Sequence, residues 1–261
     1  MAEFLFWPAL LAYGEAVVAY FGEARRPGAG ARFGIWGVRI GWLVQTALLA
    51  WQAARAEGFP WSSWAGSLNL FVWLVIGAYL IWGCRPRFRL VGLAVMPLAV
   101  VLFALARAGG GTRAAGRSHY GDAFLVVHVG LVLVAFAGFT IAAALAAVYL
   151  WQERRLKRRE ARVLRVQIPP LASLDLLAAR AILAALPALT LGIAAGVVRL
   201  HDTGARVDAL MAATFVTWAA YAMYVALRAF RGLQGRRAAY FALAGFGLVI
   251  LVRIGLQVTH F

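Results

Sequence analysis

The sequence predicts an all-α fold: a polytopic membrane protein of eight transmembrane helices with both termini on the outer side, residues 1–261 forming a single integral membrane domain. Three observations predict it. Hydrophobic residues make up 64% of the chain and charged residues only 14%, with a mean hydropathy of +0.80, far from the composition of a soluble domain of this length. The apolar residues fall in eight runs, each near the roughly 20 residues that cross a hydrocarbon core, where a helix satisfies every backbone polar group within its own segment. Basic residues concentrate in alternate connections between those runs.

In chain order the runs are 4–21, 33–54, 66–82, 90–106, 122–151, 174–200, 207–230 and 238–258. The chain starts Met-Ala-Glu, and its first run is followed, not preceded, by Arg25 and Arg26, so that run is expected to stay attached instead of being cleaved as a signal peptide. Pro97 and Pro187 lie inside the fourth and sixth runs and are expected to kink them. Gly192 and Gly196 form a small-x-x-x-small pair on the sixth run, and Gly245 lies on the eighth, all suited to close helix packing. The basic stretch 152–167 is expected to extend the fifth helix against the inner surface, where it could also dock a cytoplasmic partner.

Orientation follows from the charges. Connections after spans one, three, five and seven, counted with the span ends beside them, hold seventeen of the 26 Lys and Arg residues, including Arg25, Arg85, Arg154 and Arg231. The opposite connections, counted in the same way, hold six (Arg55, Arg107, Arg113, Arg117, Arg199 and Arg206), and Arg39, Arg180 and Arg253 fall deeper inside spans. The richer set marks the inner side. The net charge of +16 is spread over short loops at the level of anionic lipid headgroups, so the lipid bilayer, and no nucleic acid, is the expected partner. Cys84 is the only cysteine, which excludes an internal disulfide, a Cys-x-x-Cys redox pair and a Cys-x-x-Cys-His attachment site for covalent haem.

The four histidines, His119, His128, His201 and His260, all fall at or just inside the outer face. His119 lies in a Gly- and Arg-rich outer loop and His201, beside Asp202, in the short connection between spans six and seven; either is a solvated side chain or a ligand. His128 differs, because a span opening near Asp122 puts it roughly 9 Å below the outer boundary, where an ionisable ring needs a partner. His260 stands at the outer mouth of span eight. Arg253, seven positions earlier, projects from the same face about 10 Å deeper. Arg253 is either a snorkelling or interhelical hydrogen-bonding residue, or a clamp on a carboxylate. Haem would meet both features, with an iron that accepts two imidazoles and two propionates that need positive partners.

Segments 67–79 (SLNLFVWLVIGAY), 126–159 (VVHVGLVLVAFAGFTIAAALAAVYLWQERRLKRR), 168–196 (IPPLASLDLLAARAILAALPALTLGIAAG) and the ending Thr259-His260-Phe261 together resemble a known family. It is that of the cytochrome c assembly (CcsA/CcmC-like) integral membrane proteins, and within it the HemX-like/YpjD-like branch of eight-helix members. The resemblance implies that His128 and His260 are axial ligands of a non-covalent b-type haem near the outer face, in the plasma (inner) membrane of a bacterium. It also implies a role in haem handling or transport, or in cytochrome c-type biogenesis, alongside another haem-biosynthesis or cytochrome-assembly membrane protein. Arg253 would then neutralise a propionate and Asp208 orient an imidazole or contact a partner.

The chain also departs from the family. Haem-lyase members carry a segment reading roughly W-G-x-x-W-x-W-D-P-K-E, where this chain reads HDTGARVDALMAATFVTW over 201–218. Asp208 and Trp218 keep the spacing of the aspartate and the later tryptophan, but the tryptophans before Asp208 are missing, which argues against haem-lyase activity. Trp61 and Trp64 are either substitute stacking surfaces or interfacial belt residues. Two other classes stay open: a transporter of a small substrate or a divalent metal such as zinc, gathered by His119, His201, His260 and Asp202, and a scaffold that engages a haem-biosynthesis or assembly enzyme through the basic run 154–165.

Overall fold

The structure, a computed structural model, describes residues 2–25, 30–56, 60–61, 63–83, 91–113, 123–158, 169–203 and 209–251. Among these the fold is all-α. Its helices are α1 (Ala2–Arg25), α2 (Ala31–Arg55), α3 (Trp64–Gly83), α4 (Gly92–Ala108), α5 (Ala123–Lys157), α6 (Leu171–Thr203), α7 (Ala209–Arg231) and α8 (Gly235–Ile250). Six of them, α1, α2, α3, α5, α6 and α7, are long and apolar enough to cross a membrane by length and composition. Helix α4 is apolar but has 17 residues, and the described part of α8 has 16.

Each expected run corresponds to one helix, and the differences sit at the ends. Helix α6 starts directly after Pro169-Pro170, whose carbonyl at Pro170 accepts the N–H groups of Ser173 and Leu174. It runs on to Thr203, so His201 and Asp202 belong to its last helical turn and not to a loop. Trp64 is likewise the first residue of α3. Helix α5 continues to Lys157, and Arg154, Arg155 and Lys157 in its last turn complement the negative end of the helix dipole. Pro97 and Pro187 lie inside α4 and α6, which continue past them.

One compact unit comprises Met1–Gly121 with Arg154–Pro169. In it α1 turns Phe6, Ala9, Tyr13, Ala16 and Tyr20 inward at helical spacing, and α4 does the same with Val95, Met96, Ala99, Leu102, Phe103 and Ala106. Phe103 packs on Phe6 at a centroid distance of 4.9 Å and on Tyr13 at 5.9 Å. Helix α2 meets α1 through glycine, since a Cβ at Gly37 would lie 2.8 Å from the Ala12 carbonyl oxygen.

A chain of buried amides runs through this unit. The Tyr13 hydroxyl donates to Gln45 Oε1 (2.7 Å), Gln45 Nε2 to Asn69 Oδ1 (2.9 Å), and Asn69 Nδ2 to Gln52 Oε1 (3.1 Å). Gln52 Nε2 then donates to the carbonyls of Gly111 (2.9 Å) and Arg113 (2.8 Å) in the turn that ends α4. Gln45, Gln52 and Asn69 are fully buried. A buried amide left without a partner costs several kcal/mol in an apolar medium, so donors and acceptors matched end to end lock α1, α2, α3 and this turn into one arrangement.

The second unit comprises Asp122–Glu153 with Pro170–Phe261. Its core is aromatic. Phe139 of α5 stacks on Tyr221 of α7 with centroids 3.7 Å apart and planes 8° from parallel. The Tyr221 hydroxyl donates to the Ala242 carbonyl of α8, and Gly245 leaves room for the ring. Helices α5 and α6 touch at Gly138, where a Cβ would come 2.7 Å from the Ala185 methyl carbon.

Candidate functional site

His128 lies five residues into α5, on the order of 8 Å along the axis from Ala123. Val126 and Val127 beside it are exposed, whereas the imidazole is half-buried against α6. Its Nδ1 stands 2.6 Å from the carbonyl oxygen of Gly192. A carbonyl oxygen only accepts, so Nδ1 carries a proton and donates it. In the neutral ring Nε2 then keeps the lone pair. Metal-ligating histidines are held in this way, one nitrogen donating to a carbonyl or carboxylate so that the other is oriented and made more basic. The residues present therefore fit an iron ligand at Nε2.

Gly196 makes the room. A Cβ there would lie 2.8 Å from His128 Cε1 and 3.2 Å from Nδ1. Gly192, one turn earlier, faces Val132 of α5, whose Cγ2 would be 2.9 Å from an added Cβ. The pair does pack the two helices, and it also holds the histidine.

Trp218 of α7 donates its indole N–H to Thr190 Oγ1 at 2.9 Å, and Thr190 donates in turn to the Leu186 carbonyl. Phe215 packs beside the indole at 5.4 Å. Thr190 and Gly192 are two positions apart, about 200° around the helix, so Trp218 and His128 attach to different faces of α6 at the same level.

His260, Arg253, Asp208 and His119 lie outside the described residues, and His201 and Asp202 are described as backbone only. Among the described residues no group of three or more His, Cys, Asp or Glu side chains could hold a metal ion. Trp64 packs over Gly109 at the end of α4, where a Cβ would lie 2.8 Å from its ring, and Trp61 is half-buried.

Sequence reasoning missed the function of Gly196 at this site and the amide chain of the first unit. The amides left a signal, since Gln45 and Gln52 are spaced seven apart in an apolar span, and Asn69 interrupts another. Gly196 left only the small-residue spacing shared by any close helix pair.

The family model described as Cytochrome C assembly protein matches residues 61–260, a stretch that takes in α3 to α8, His128 and His260. The chain is 23% identical over 249 residues to Protein HemX of Bacillus subtilis, covering 93% of this chain and 90% of that protein. It is 26% identical over 273 residues to Cytochrome c biogenesis protein CcsA of Synechococcus elongatus, covering 85% and 83%. Over 158 residues it is 30% identical to the CcsA protein of Prochlorococcus marinus strain MIT 9312, covering 52% and 51%.

Proposed function

This chain belongs to the cytochrome c assembly protein family, and we propose that it is a haem-binding member that handles or transports haem for cytochrome c-type biogenesis. The observation that carries this reading is the His128 imidazole, whose Nδ1–H donates to Gly192, so that in the neutral ring Nε2 keeps the lone pair a ligand needs. Nε2 of His128 and the imidazole of His260 would hold the iron. Arg253 would pair with a propionate, and Asp208 would orient an imidazole or meet a partner. Trp218, steadied by Thr190, is the tryptophan retained from the family's aromatic segment. When bound, haem would supply an iron that accepts imidazole and two carboxylates; the chain's own part is to hold, orient and release it.

The tryptophans that precede the aspartate in haem-lyase members are missing from this sequence, which argues against joining haem to apocytochrome thiols and for handling haem without attaching it. We place all eight helices across the plasma membrane of a bacterium, with both termini outside. The partner is another haem-biosynthesis or cytochrome-assembly membrane protein.

The visible spectrum of the detergent-purified protein titrated with haemin tests this. A Soret band with the sharp ferrous bands of low-spin, bis-histidine haem is expected, lost in both His128→Ala and His260→Ala, and pyridine haemochrome should identify the b type. A Soret band unchanged in both variants overturns the reading. Stoichiometric zinc without porphyrin overturns it in favour of a divalent-cation transporter.

A further inference from the structure

We propose that Gly192 and Gly196 of α6 form a positioning device for His128, one that fixes which ring nitrogen carries the proton and presents Nε2 as the ligating atom. Its functional meaning rests on the haem reading above, while its mechanism rests on the geometry of α5 and α6 alone.

In a regular helix the carbonyl of residue 192 accepts the N–H four residues on and keeps one lone pair for an outside donor. Side chains lean toward the helix N-terminus, so any residue at 196 with a side chain would lie over the turn below it and cover that carbonyl. Glycine at 196 leaves the patch bare, and the imidazole of His128 occupies it, with Cε1 2.8 Å from where a Cβ would be. Glycine at 192 has the complementary part: it lets the α6 backbone approach Val132, one turn along α5 from His128, closely enough for Nδ1 to reach the carbonyl at 2.6 Å.

The same helix pair contains its own control. Gly138 meets Ala185 at an equally short distance, yet its nearest neighbours there are the Ala185 methyl carbon at 2.7 Å and the Ala181 carbonyl oxygen at 3.6 Å, with no imidazole among them. Close approach by itself therefore does not create the device; it needs the histidine on one helix and a bared carbonyl on the other. Donation from Nδ1 raises the electron density at Nε2, which would strengthen it as a ligand to a bound metal.

Nitrogen-15 NMR of histidine-labelled protein without haem, at mildly alkaline pH, reads the ring directly. The His128 signals are identified by their loss in His128→Gln. Wild type and Gly247→Ala, where nothing lies within 4 Å of an added Cβ, should show the proton on Nδ1, and Gly196→Ala should lose that pattern. In haem titrations Gly196→Ala should weaken affinity about 10- to 100-fold, with Gly247→Ala unchanged. A wild-type ring protonated on Nε2, or a Gly196→Ala variant that keeps both the pattern and the affinity, overturns the inference. If the NMR result is as expected but wild type takes up no haem, the positioning device stands and the haem reading falls.

Discussion

Asp175 and Arg228 form an ion pair of 2.7 Å that joins the second turn of α6 to the last turn of α7, with side chains 12% and 18% exposed. The other carboxylate oxygen accepts the N–H of Gly235 at 3.0 Å, where a φ of +68° favours glycine. Arg228 Nη1 also donates to the Leu233 carbonyl at 3.1 Å. One carboxylate and one guanidinium thus tie α6, α7 and the start of α8 together. By position alone Arg228 counts among the inner-side cations that orient the chain, and the structure gives it this second function.

Asp175→Ala should lower stability by about 1.5–3 kcal/mol, because it strips a charge-assisted hydrogen bond and leaves a guanidinium half-covered without its partner. Thermal unfolding in detergent reads this. Combined with Arg228→Ala, the loss should be clearly smaller than the sum of the two single losses; strict additivity would show that the pair contributes nothing.

Gln52→Leu should cost about 1–3 kcal/mol, since it removes the donor to the Gly111 and Arg113 carbonyls and the acceptor for Asn69. Hydrogen exchange should quicken at residues 109–113 in particular. Exchange there at the wild-type rate would mean that the amide chain does not hold the turn.

Gly245 and Gly247 lie on one helix but meet different surroundings. A Cβ at Gly245 would press 2.8 Å from Cζ of Tyr221, whereas nothing lies within 4 Å at Gly247. Gly245→Ala should therefore destabilise by about 1–3 kcal/mol through overpacking, and Gly247→Ala should be neutral or slightly stabilising. Equal melting temperatures for the two variants would contradict the packing described for Tyr221.

Cys84, the single cysteine, falls in the connection between the third and fourth runs, on the side assigned to the interior. A membrane-impermeant maleimide should leave it unlabelled in intact cells and label it in inverted vesicles. Labelling in intact cells would reverse the proposed orientation of every helix.

Much of the architecture was legible from residue order. Eight apolar runs located eight helices, because a backbone in hydrocarbon has few ways to satisfy its polar groups. His128 stood out for a related reason, being an ionisable ring inside an apolar segment. Helix ends were less legible: the last turn of α6 takes in His201, and α3 begins at Trp64, because terminal turns depend on local hydrogen bonds that hydropathy does not register. What only tertiary structure decided was the company each residue keeps. His128 meets Gly192 across 64 residues of chain, and Asp175 meets Arg228 across 53. Helical periodicity says which residues share a face, but which face turns toward which neighbour is settled by packing. There a missing methyl group at Gly196 determines where an imidazole can sit.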